Sequence, residues 1–111
     1  MQPDRRKYLY DIQQACQRVR RFTQDRTLDD YHKDELLRSA VERQFEIIGE
    51  ALSQLHKVDQ AMTGRIHEFR RIVAFRNILI HGYASIHNET VWGVVQNDLP
   101  VLARQVDDLL G

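Results

Sequence analysis

The sequence predicts an all-α fold, an antiparallel bundle of four to five helices, on three observations. Apolar residues recur at three- and four-residue steps almost throughout, the spacing that lines one face of a helix. Only two prolines and five glycines punctuate the 111 residues, so breaks between helices are few. No run alternates apolar with polar residues as a half-buried strand does, and no hairpin signal competes. A chain of this length builds one hydrophobic core and reads as a single helical domain over residues 1–111.

The first helix is expected from Asp4 to about Gln24, with Tyr8, Ile12, Ala15/Cys16, Val19 and Phe22 on its apolar face. The stretch TQDRTLDD interrupts it and offers Thr27 or Asp30 as a cap. A second helix should begin between Leu28 and Asp34 and run to about His56. Leu37, Val41, Phe45, Ile48, Leu52 and Leu55 make one stripe, and Leu36, Ala40, Ile47 and Ala51 a second beside it. An arc that wide touches more than one neighbour, which predicts either the central helix of the bundle or a helix shared in a homodimer. The third helix is expected from about Arg65, with Thr63 and Gly64 at its start and Ile66, Phe69, Ile72/Val73, Phe75 and Leu79/Ile80 facing inward. Asn88 is a good cap for the fourth, where Trp92, Val95, Leu99, Leu102, Val106 and Leu109 keep period. Pro100 falls inside that run and predicts a kink, because the period continues through it. Tyr8, Tyr10 and Tyr31 fit the edge of the core.

Composition excludes several function classes. Lysine plus arginine and aspartate plus glutamate number 16 each, so no global field recruits nucleic acid or an acidic membrane, although a local patch still can. Cys16 is the only cysteine; it can form no internal disulfide and no thiolate zinc cluster, and it sits on an apolar stripe. No apolar run approaches the roughly 18 residues of a membrane span, which predicts a cytoplasmic protein with no membrane partner. Glu42, Glu46 and Glu50 repeat every four residues without a Glu-x-x-His motif, so pairing with arginines on a neighbouring helix is expected before a metal. His32, His56, His67 and His87 are scattered and form no zinc set. No glycine-rich phosphate loop is present, and no cofactor is expected.

One stretch stands apart: FRNILIHGY, residues 75–83, at the end of the third helix. Arg76 offers a permanent cation with a planar donor fork suited to phosphate. His81 is the side-chain type whose ordinary pKa allows proton transfer in both directions near neutrality. Those two groups suffice to cleave RNA without a metal, with Asn77 to orient the substrate or the histidine. The competing reading is that an arginine and a histidine near a helix C-terminus simply complement its dipole. Positions five apart on a helix diverge by about 140°, so the pair meets only where the helix ends at Gly82 or across a dimer. Arg65, Arg70 and Arg71 make the same helix locally basic, either to track an RNA backbone or as a solvated face.

These residues resemble a known family. RNILIHGY is similar to the Arg-x4-His-x-Tyr signature of HEPN domains, as in the HepT-like toxins of HEPN/minimal-nucleotidyltransferase (MNT) toxin–antitoxin pairs. AVERQFEIIGEAL (40–52) resembles their long second helix, and VWGVVQNDLPVL (91–102) their last. The resemblance implies a dimeric bundle with two Arg/His motifs lining a shared cleft, and metal-independent ribonuclease activity with Arg76, His81 and Asn77 in the catalytic site. It further implies a cognate minimal nucleotidyltransferase antitoxin that transfers AMP to the motif tyrosine, here Tyr83. Some HEPN domains act by binding, so a non-catalytic nucleotide- or RNA-binding subunit of the nucleotidyltransferase is the alternative. Family members often carry Pro-Trp ahead of the third helix; TGRIHEFRRIVAF has neither, which puts the start of that helix in question.

Overall fold

A computed structural model describes residues 3–81 and 87–111, all helix or short connection, with no strand among them. Helix α1 spans Pro3–Thr23, α2 Leu28–Lys33, α3 Glu35–Val58, α4 Gln60–Thr63, α5 Phe69–Ile80, α6 Asn88–Gly93 and α7 Leu99–Leu110. A π-helical turn, Val94–Asp98, joins the last two.

Helix α3 is central. It packs on α1 along one side and on α5 along another, and α7 closes against α1. Val41, Phe45, Ile48, Leu52 and Leu55 of α3 are fully buried, with Leu9, Ile12, Ala15, Cys16 and Val19 of α1 beside them. Truncating a buried leucine or isoleucine of this set to alanine costs about 2–5 kcal/mol, because the cavity collapses only in part. Phe45 meets Phe75 of α5 edge to face at 5.3 Å, which fixes how α5 lies across α3.

The structure departs from the sequence expectation at several places: Ile80 and Tyr10 are exposed, and Asn88 opens α6 with His87 at the cap position, the Asn88 amide lying 2.8 Å from His32 Nδ1. The expected second helix is two. Thr27 forms a reciprocal capping box with Asp30, α2 ends after six residues, and Asp34 turns extended to accept the N–H of Leu37 and start α3. Tyr31 is wholly buried against Trp92 rather than at the core edge, with ring centroids 5.5 Å apart, and burial pushes its hydroxyl pKa up. Helix α5 starts at Phe69, not near Arg65. Thr63 and Gly64 instead close α4, and turn hydrogen bonds from Arg65 and Ile66 back to Met62 and Thr63 occupy the gap. On the second α3 stripe, Ala51 is buried and Ala40 and Ile47 half-buried, whereas Leu36 is exposed.

At Pro100 the irregularity takes the form of the π turn. Proline has no N–H and its ring crowds the carbonyl four residues back. The widened turn precedes it, Leu99 bonds back five residues to Val94, and Pro100 sits in the first turn of α7. Val94 and Val95 are both buried as a result. Cys16 is buried and its thiol pKa is pushed up to about 12 by desolvation, consistent with packing rather than reactivity. No described helix is long and apolar enough to cross a membrane.

Candidate functional site

Helix α5 carries Arg76 into a groove of about 320 Å³ bounded by α1, α3 and its own last turn. Tyr8, Ile47, Ala51 and Ile80 give the groove an apolar floor, and Arg43, Glu46 and Glu50 a charged rim. The arginine lies directly over Gly49 of α3. A Cβ at that position would stand 2.3 Å from Arg76 Cγ and 2.4 Å from its Cβ, so the approach of the two helices depends on the missing side chain.

The guanidinium is then held at two points. Nη2 donates to Glu50 Oε2 at 2.6 Å, and Nη1 donates to Asn77 Oδ1 at 3.1 Å. Glu50 is itself steadied by Gln54, whose amide donates to its other oxygen at 2.9 Å. A guanidinium has five N–H donors. Nε is buried with no hydrogen-bond partner, and one N–H on each Nη remains, the number that a bidentate phosphate contact takes. Because Asn77 presents its oxygen to Arg76, its amide NH₂ faces outward on an exposed residue.

His81 is the C-cap of α5 and is exposed. Its backbone is still right-handed helical, φ −75°, and its N–H bonds to Asn77 O at 3.1 Å. It therefore keeps its helical direction, about 140° round the axis from Arg76. The structure brings Arg76 and Asn77 together within one chain; His81 falls one turn after Asn77 on the same side of α5 and away from Arg76. Gly82 and Tyr83 lie outside the described residues.

The three arginines expected to track RNA separate. Arg71 lies on another face, its Nε 3.1 Å from the buried carboxylate of Asp98. Arg70 faces the C-terminal end of α3, and Arg65 is exposed in the turn before α5. Of the acidic ladder on α3, Glu50 pairs with an arginine across helices, as expected, and Glu46 pairs with Arg43 on its own helix. Glu42 has its pKa raised, chiefly by burial and then by the charge of Glu46. No cluster of side chains suited to a metal occurs among the described residues.

A model of the family described as "Ribonuclease HepT-like" matches residues 12–109. The chain belongs to the HepT-like family. Two Methanocaldococcus jannaschii proteins named as putative RNases are similar to it. One is 32% identical, with 94% of each chain covered; the other is 31% identical over 96% of this chain and 88% of its own. A Thermococcus cleftensis protein named as a probable ribonuclease HepT is 29% identical over 98% of each. No solved structure matches. The HepT-like description and the names of these relatives agree on ribonuclease activity.

Sequence reasoning missed Gly49, and it expected an arginine partner for Glu50 without naming Arg76. Both stand in the quoted IIGEAL segment, but a glycine under an arginine 27 positions later leaves no local signal.

Proposed function

We propose that this protein is a metal-independent endoribonuclease, the toxin half of a HEPN/minimal-nucleotidyltransferase pair. The observation that carries the reading is Arg76, Asn77, His81 and Tyr83 in family order along the sequence, with the fork of Arg76 seated on α5 and two of its Nη hydrogens left over. His81 takes the proton of a ribose 2′-hydroxyl, that oxygen attacks the adjacent phosphorus, and the 5′-oxygen leaves with a proton returned by histidine acting as general acid. Arg76 stabilises the charge that accumulates on the phosphoryl oxygens. Asn77 orients the substrate through its outward amide.

The divergence of Arg76 and His81 round α5 supports a homodimer in which Arg76 of one protomer works beside His81 of the other. Exposed Ile78, three residues before His81 on α5, supplies apolar surface for that contact. The partner nucleotidyltransferase neutralises the site by moving AMP onto Tyr83, since a bulky anion there competes for Arg76.

The test is cleavage of total RNA in excess EDTA by protein shown unmodified by intact mass, beside His81→Ala. Cleavage should be lost in the variant. Equal cleavage by both sinks the catalytic assignment, and no cleavage by either favours an RNA- or nucleotide-binding subunit.

A further inference from the structure

A second face of α5 is built differently. Phe69, Arg70, Val73, Ala74 and Asn77 recur at three- and four-residue steps and line a cavity of about 300 Å³ with His56 of α3. A neighbouring cavity of about 390 Å³ shares His56, Phe69 and Arg70 and extends to His67. Neither is lined by an acidic residue. Arg71 and Arg76 each hold a carboxylate; none pairs with Arg70 among the described residues.

The ring at the centre is fixed. His56 stacks on Phe69, centroids 4.7 Å apart and 29° from parallel. Thr63 Oγ1 lies 3.2 Å from Gln60 O and 2.7 Å from His56 Nδ1, so the ring is held on its Nδ1 side. With Nδ1 engaged by Thr63, Nε2 is the ring nitrogen left to a ligand.

We propose that this acid-free groove binds single-stranded RNA on one side of the phosphate held at Arg76. The inference rests on the ribonuclease reading and gives the same site its substrate path. Phosphates meet Arg70 and His67, and an unpaired base packs against the His56–Phe69 pair, as cation-and-ring surfaces hold single strands. Asn77 is the joint between the two faces: its oxygen holds Arg76, and its side of the helix lines the groove. From Arg70 to Asn77 the helix rises about 10 Å, so the groove holds a short flank of the strand and not a long duplex.

The experiment is anisotropy of a fluorescein-labelled single-stranded oligoribonucleotide of about a dozen nucleotides, in a His81→Ala background so that the strand is not cut. Arg70→Ala should weaken binding about tenfold and reduce the salt slope by about 0.7, and Arg70→Glu should do more. His56→Gln keeps a donor for Thr63 but removes the ring, and should also weaken binding. Arg21→Ala, an exposed arginine on α1, should leave binding within about twofold, the small change expected of non-contacting surface charge. With His81 restored, Arg70→Ala should raise KM for the oligomer at unchanged kcat and leave a dinucleotide substrate unaffected. Arg70→Glu binding as tightly as the parent, with its helical circular dichroism intact, overturns the groove and leaves the catalytic site standing. RNA binding lost in the Arg70 variants, by a parent protein that cuts nothing, upholds the groove and overturns the ribonuclease reading.

Discussion

The two faces of α5 treat an arginine in opposite ways. Arg76 lies over a glycine, its fork tied to Glu50 at 2.6 Å and to Asn77 at 3.1 Å. Arg70, less than two turns earlier, stands over cavities with no acidic lining. A tethered guanidinium is preorganised and can stabilise a developing charge without first being ordered. An untethered one keeps its entropy and its full charge, which suits attraction of a polyanion more than exact placement. The difference teaches that local basicity on this helix is two separate properties, one of orientation and one of attraction.

The largest expected effect tests that division directly. Arg76→Ala should lower kcat by about 10²–10³-fold, as loss of a transition-state donor does, whereas Arg70→Ala should act on KM. Single-turnover and steady-state kinetics on one oligoribonucleotide read both. A similar fall in kcat from both variants would erase the distinction.

Gly49→Ala comes next. The new methyl meets Arg76 Cβ and Cγ, and a Cβ cannot swing aside, so α3 and α5 must separate. Overpacking of this kind costs about 1–3 kcal/mol, read as a lower thermal midpoint, and kcat should fall at least about tenfold through misplacement of the fork. Full activity in a stable Gly49→Ala protein would show that the close approach of the helices is not what positions Arg76.

Glu50→Gln sharpens the same point at lower cost. Glu50 is half-exposed, and exposed pairs contribute about 0.2–1 kcal/mol, so unfolding in urea should barely change. Cleavage should drop by several-fold, and Glu50→Asp should recover less than the glutamine variant if reach matters more than charge. An activity equal to that of the parent in both variants would leave Gly49 and Asn77 to position Arg76.

The smallest effect lies higher on the acidic ladder. The folded-state pKa of Glu42 is raised by burial and by Glu46, with Arg38 opposing. A raised folded value means that the ionised carboxylate opposes folding. The favourable contribution is complete below the ordinary value of 4.5 and is lost as pH rises through the folded one. Glu42→Gln should therefore stabilise slightly at neutral pH, with the gain disappearing in acid. A gain independent of pH would point to packing instead.

Most of the fold was legible in the residues because helical periodicity is a local property. The stripes of α1, α3 and α7 follow from spacing, and FRNILIHGY marked the candidate site before any neighbour was known. The break at Asp34 was hidden because apolar residues keep step on both sides of it, while a capping box and an N-cap end one helix and start the next. The late start of α5 was hidden because Thr63 reads as a cap but is spent on His56 and Gln60. By itself, then, the sequence determined the main helices, most of their buried faces and which residues are candidates for the chemistry. Only the tertiary structure decided that Glu50 and Gly49 receive Arg76, that Asp98 takes Arg71, and that Arg70 faces no acid. Those outcomes depend on how α5 crosses α3, an angle set by the packing of side chains such as Phe45 and Phe75, and no spacing along one chain segment encodes it.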